Sequence, residues 1–173
     1  MEWSGDVMSN VSTEVAIATT TLGSAASTIT FSSIGSGYTD LRLVLVGIVK
    51  PSIGSLVAQV RFNSDSGTNY SVTHLLGDGS SASSFRVTNR TKLEPEGFAT
   101  TQPMLFTMDV FSYAGSTNKT VLMTNSTDRN GAGIVYRGVG LWRNTGAITT
   151  ITLVGDGGYE YEVGTTATLY GIL

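Results

Sequence analysis

Short segments in which apolar and polar residues alternate one for one, parted by residues that close tight turns, run along most of this 173-residue chain. In Leu41-Arg42-Leu43-Val44-Leu45-Val46 the three leucines share one face and Arg42 begins the other. A period of two belongs to an extended strand with one face buried, whereas a helix would repeat its apolar positions every three to four residues. The pattern recurs over 29–31, 57–62 and 105–111. Strands are also expected over 120–125, 134–142, 148–154 and 166–172, each rich in β-branched or aromatic residues. Between these segments lie Ser66-Gly67, Asp78-Gly79, Asn130-Gly131, Asn144-Thr145-Gly146 and Gly155-Asp156-Gly157-Gly158, residue types that tolerate positive φ in turns. Roughly eight to ten short strands at this spacing predict an all-β fold, a two-sheet antiparallel sandwich of jelly-roll or related Greek-key type. The expected core takes in Phe31, Leu43, Leu45, Phe62, Phe106, Met108, Val110, Trp142, Ile151 and Leu169.

The chain has the length of one domain with a sizeable core. Only 13% of its residues are charged against 40% hydrophobic, so its solubilising groups are mainly Ser, Thr, Asn and Gly. A net charge of −3 gives no basic footprint for phosphates, so nucleic acid is not expected as a partner. With no cysteine, neither a disulfide nor a thiolate metal site is available, and no cofactor signature appears. The start, Met1-Glu2-Trp3-Ser4-Gly5-Asp6, lacks a basic leader and an apolar run, and no later run has the length of a membrane span. The expectation is a soluble protein made in a cytoplasm, with no membrane partner. Asn10, Asn69, Asn89, Asn118 and Asn125 each head an Asn-x-Ser/Thr triplet, as chance produces in a chain this rich in Ser and Thr. No fixed-period repeat is present, and residues 80–84, Ser-Ser-Ala-Ser-Ser, read as a flexible loop.

Residues 1–23 are polar and threonine-rich and read as an N-terminal arm leading into an outer strand, ahead of a sandwich domain over 24–173. The arm holds too little apolar surface for a core of its own. It is therefore expected to dock on a neighbouring subunit by strand addition, with Trp3, Val7, Val15 and Ile17 as apolar anchors.

Catalytic readings start from His74, the single histidine. A Ser-His-Asp site would pair it with Asp78 or Asp109, but no Gly-x-Ser-x-Gly elbow accompanies it, and a strand-end or interface imidazole is the plainer reading. Paired carboxylates are available as Glu94 with Glu96 and Glu160 with Glu162, with Asp109 and Asp128 as further candidates. The first pair flanks Pro95 in a loop and the second alternates with Tyr159 and Tyr161 on a strand edge, so both read as solvated or edge-protecting charges. Residues 63–69, Asn-Ser-Asp-Ser-Gly-Thr-Asn, place oxygen-bearing side chains around a glycine, either as a hairpin turn or as a loop for a cation such as calcium. The Gly155-Asp156-Gly157-Gly158 run is no phosphate cradle, having neither a following helix nor a lysine beside it. Trp142 reads as core with its indole nitrogen partnered at the rim. No catalytic signature emerges, and no enzyme activity is expected.

The order of several motifs resembles a group of small virion proteins of tailed phages, cyanophage-like among them. The motifs are Ile29-Thr30-Phe31-Ser32-Ser33-Ile34 with Tyr38-Thr39-Asp40-Leu41; Val60-Arg61-Phe62-Asn63 with Asp65, Gly67 and Asn69-Tyr70-Ser71; and Asn118-Lys119-Thr120. Gly140-Leu141-Trp142 with residues 147–151, and the ending Ala167-Thr168-Leu169-Tyr170-Gly171-Ile172, complete them. The pattern spans about residues 28–172, and the stretch before Ser27 departs from it. The resemblance implies a β-sandwich that decorates a capsid or belongs to a tail, with no catalytic residues to carry over.

Two functions follow as expectations. The first is a capsid decoration, or cement, protein on the virion surface, a homo-trimer that binds across subunits of the major capsid protein and stabilises the shell. The alternative is a tail fibre or receptor-binding domain that reads a host glycan through exposed Tyr, Trp, Asn and Asp side chains.

Overall fold

In a computed structural model of the protein, residues 13–50, 58–96, 100–128, 130–155 and 158–173 are described. They form twelve strands and no helix: β1 (Glu14–Thr21), β2 (Thr28–Phe31), β3 (Asp40–Lys50), β4 (Gln59–Phe62), β5 (Tyr70–Gly77), β6 (Ala82–Arg90), β7 (Thr100–Phe111), β8 (Lys119–Thr127), β9 (Ile134–Trp142), β10 (Ile151–Val154), β11 (Glu160–Tyr161) and β12 (Thr166–Ile172). Every pairing among them is antiparallel. The large sheet runs β1-β12-β3-β7-β8-β9-β5-β6, with β11 also on β3, and a small sheet runs β2-β10-β4. The all-β class and two-sheet sandwich expected from the alternation are therefore what forms. The division of strands is uneven, nine to three.

The core lies between the sheets. Leu41, Leu43 and Leu45 point inward from β3, beside Val110, Met108 and Phe106 of β7, and face Phe31, Phe62, Ile151 and Leu153 of the small sheet. All ten residues expected in the core are buried. Each fully buried Phe or Leu contributes about 1.5–3 kcal/mol through removal of apolar surface from water. At one end Phe62, Tyr70 and Trp142 form an aromatic cluster with ring centroids 5.5–6.3 Å apart. Residues 91–96 continue the small sheet's cover, bridged to β4 through Val60 and Leu93. Gly140 makes room for them: a Cβ there would lie 2.7 Å from Leu93 Cδ2.

Several boundaries differ from the sequence reading, and tertiary pairing accounts for each. Residues 14–21, assigned to the arm, form β1 and pair with β12, so the sheet begins before residue 24. Residues 1–12 of the arm lie outside the described residues, as do Val57, Asp156 and Gly157. Residues 80–84 divide: Ser80 and Ser81 close a turn, and Ala82, Ser83 and Ser84 enter β6 opposite Gly77, Leu76 and Leu75. Small polar residues have weak strand preference of their own, and the ladder to β5 imposes it. Residues 148–150 precede β10 instead of belonging to it. There the Asn63 carboxamide oxygen accepts the amide N–H groups of Thr149 and Thr150, at 2.9 and 3.0 Å.

Candidate interaction surface

In strands of the large sheet one set of side chains enters the core and the other forms an outer face that the small sheet does not cover. Register fixes the rows on that face. One crosses the sheet through Thr166, Val46, Leu105, Ser126 and Val135. The next passes through Thr168, Val44, Thr107, Thr124, Arg137 and Leu75. The third joins Tyr170, Arg42, Asp109, Leu122, Val139 and Thr73. A sheet face turned to water normally carries polar residues. Here Val135 is 62% exposed, Leu75 55% and Val46 49%, and Leu105 and Val139 are exposed beside them. An open groove of about 500 Å³ runs past Val46, Leu105 and Val135.

Charge on this face is confined. Arg42 Nε donates to Asp109 Oδ1 at 2.6 Å, and its guanidinium lies 3.6 Å from Glu14 Oε1. Arg137 stands between Val135 and Val139 along β9, opposite Leu75, and has no ion-pair partner among the described residues. Exposed aliphatic side chains gathered on one sheet face form an apolar patch of the kind that marks interaction sites. The sequence signal lay in β9: besides the buried Ile134, Tyr136 and Trp142, the opposite phase holds Val135, Val139 and Leu141. A strand apolar in both phases has two faces to cover.

The structure places the remaining candidates elsewhere. His74 points inward, stacked on Phe85 at 4.4 Å between centroids and tilted against Tyr136 at 5.6 Å. Neither ring nitrogen has a hydrogen-bond partner among the described residues, and desolvation lowers the imidazole below its ordinary value. Asp78 and Asp109 are not joined to it. Asp78 closes the β5–β6 turn, its Oδ1 accepting the Ser80 and Ser81 amides at 2.9 and 2.7 Å, which hold its carboxyl down to about 2. Asp109 belongs to the ion pair on the outer face.

Glu94 is buried and takes the Arg90 guanidinium at 2.5 Å. Glu96 is half-buried, and desolvation together with the Glu94 charge pushes its carboxyl up. Glu160 is exposed on β11, and Glu162 is half-buried, its amide bonded to the Ile48 carbonyl. Asp128 binds the Gly131 amide at 2.7 Å. In the 63–69 loop three donors converge on the Asp65 carboxylate: Gly67 N at 2.8 Å on Oδ1, and Asn69 Nδ2 at 2.9 Å and Trp142 Nε1 at 2.7 Å on Oδ2. Three N–H groups aimed at one carboxylate are the wiring of a turn, with protons where a cation would sit.

Of the expected anchors, Val15 is exposed on β1 and Ile17 packs against the protein's own core. Trp3 and Val7 lie outside the described residues.

Comparison with known proteins brings no match to this chain from family models, curated proteins or solved structures.

Proposed function

We propose that this chain is a structural protein of a phage particle, a capsid decoration protein that binds across subunits of the major capsid protein as a homo-trimer. The observation that carries the reading is the outer face of the large sheet, where exposed Val46, Leu75, Leu105, Val135 and Val139 stand among hydroxyl side chains. Six strands at about 4.8 Å and three rows at about 7 Å make a surface on the order of 600 Å². That is most of the ~800 Å² that one partner contributes to a standard protein interface. The assignment to a phage particle rests on the resemblance in motif order described above.

The glycan-reading alternative has less support. It needs exposed aromatic platforms, yet Trp142 and five of the seven tyrosines (Tyr70, Tyr113, Tyr136, Tyr159 and Tyr161) are buried.

The test mixes purified protein with undecorated capsids and reads occupancy after sedimentation. The wild type is expected to bind, and Leu105→Lys and Val135→Lys to lose binding while melting within about 0.5 kcal/mol of the wild type, as exposed substitutions do. Failure of the wild type to bind capsids, or undiminished binding by both variants, overturns the reading.

A further inference from the structure

β6 ends the large sheet on the side away from β1. One ladder to β5 holds it, from Gly77↔Ala82 to Tyr70↔Arg90, and no strand pairs with its other edge among the described residues. Eight of its nine residues are exposed, and only Val87 is half-buried against the core. Ordering each residue costs about 1–2 kcal/mol of backbone entropy, and a strand that buries so little recovers little of it in the isolated chain. Free edges are commonly shielded by proline, lysine or shortness. β6 has neither residue and is nine residues long; its bulge falls near the Arg90 end, where Asn89 takes a φ of 55°.

The charges on β6 are Arg86 and Arg90. Glu94 holds Arg90. Arg86 donates Nε to Thr73 Oγ1 at 2.8 Å and has no ion-pair partner among the described residues. Beside it Phe85, stacked on His74 by one face, is 41% exposed. The edge thus fits an extended segment carrying carboxylates and an apolar residue next to one of them. Pairing of β6 with its own copy fails this condition, because β6 carries no carboxylate.

The chain carries such a segment. Residues 1–12, which lie outside the described residues, read Met-Glu-Trp-Ser-Gly-Asp-Val-Met-Ser-Asn-Val-Ser and hold Glu2 and Asp6 with no positive side chain. Arg86 lies opposite the outward Thr73, whereas Arg90, past the bulge, lies opposite the inward Tyr70 and is held by Glu94, so Arg86 is the arginine that an acid of the segment can meet. Set antiparallel with Asp6 opposite Arg86, the segment brings Val7 opposite Phe85 and Gly5 opposite Val87. Carboxylate then meets guanidinium on the outer face, and a β-branched residue meets an aromatic ring on the inner face, a favourable cross-strand pair.

Reach decides which copy supplies the segment. β1 begins at Glu14 on the opposite edge, seven strand spacings or about 34 Å away along the sheet. Residues 2–10 laid along β6 leave four residue steps from Asn10 to Glu14, which span at most about 14 Å. The geometry points to β6 as an acceptor edge onto which residues 2–10 of a second copy of this chain add as an antiparallel strand, Asp6 against Arg86. Such a contact joins two different surfaces, so it propagates head to tail and closes into a ring when the rotation allows. It needs no capsid.

Sedimentation velocity on the full-length protein over a concentration series tests it, with Asp6→Arg, Arg86→Asp and the double exchange, each first checked for an unchanged melting temperature. The wild type is expected to self-associate, each single variant to weaken association about tenfold or more by placing like charges together, and the exchange to restore it. A monomeric wild type, single variants that associate normally, or an exchange as weak as its parents each overturns the proposal. Capsid occupancy does not enter these readouts, so the outcome is separate from that of the decoration reading.

Discussion

Trp142 Nε1 donates a 2.7 Å hydrogen bond to Asp65 Oδ2, tying the last residue of β9 to the 63–69 turn. The indole ring is buried against Phe62 and Tyr70, so the turn is fastened to the aromatic end of the core. Desolvation pulls the Asp65 carboxyl upward, but the N–H bonds from Trp142, Asn69 and Gly67 and the Arg61 charge outweigh it and hold it below the usual carboxylate range. Asp65→Ala is expected to cost about 2–3 kcal/mol in urea unfolding, since it leaves a buried N–H without an acceptor. Trp142→Phe removes the donor, so the double variant should lose less than the sum of the two single losses. The sign with pH follows: a depressed carboxyl stabilises the fold above its unfolded value near 4 and loses that contribution as pH falls through the folded one.

His74 runs the opposite way on acidification of a histidine with a partner. Burial lowers its folded pKa and neither nitrogen is bonded among the described residues, so the unfolded chain binds its proton first. Stability is then full at pH values above the unfolded value near 6.5 and falls as pH drops toward the folded one, by at most about 1.4 kcal/mol per unit. Melting temperatures from pH 8 to 5 should decline in the wild type and less steeply in His74→Phe. Parallel curves would mean that His74 is not the titrating group. Glu96 contributes with the opposite sign, because its raised carboxyl favours the fold at low pH.

Lys119 is buried at the start of β8, and its ammonium donates to the Gly115 and Thr117 carbonyls at 2.5 Å each and to Thr145 at 3.4 Å. One cation thereby joins the β7–β8 loop to the loop after β9. Lys119→Met keeps the stem and removes the donors, which should cost about 2 kcal/mol, or about 4–8 °C in melting temperature.

Gly138 sits on the inner face of β9 beneath the Tyr136 side chain, and a Cβ there would lie 1.8 Å from the Tyr136 hydroxyl. Gly138→Ala should therefore destabilise by about 1–3 kcal/mol through overpacking. Tyr136→Phe removes a buried hydroxyl that has no partner among the described residues, and calorimetry should find that variant at least as stable as the wild type.

The amino-acid sequence by itself determined the strand class, the turns and the inward phase of β3 and β7, because a period of two is a local property of the chain. It also placed Trp142 in the core with a partnered nitrogen. What it left open depends on contacts between residues far apart. The pairing of Glu14–Thr21 with β12 joins the two ends of the described chain, and nothing within either segment encodes the other. The strand character of Ala82–Arg90 comes from the ladder to β5, since Ser and Asn have little preference for it. Only the tertiary structure decided that Val46, Leu105 and Val135, on three strands of one row-forming sheet, make a common outer surface, because exposure is a property of what packs over a residue and not of the residue.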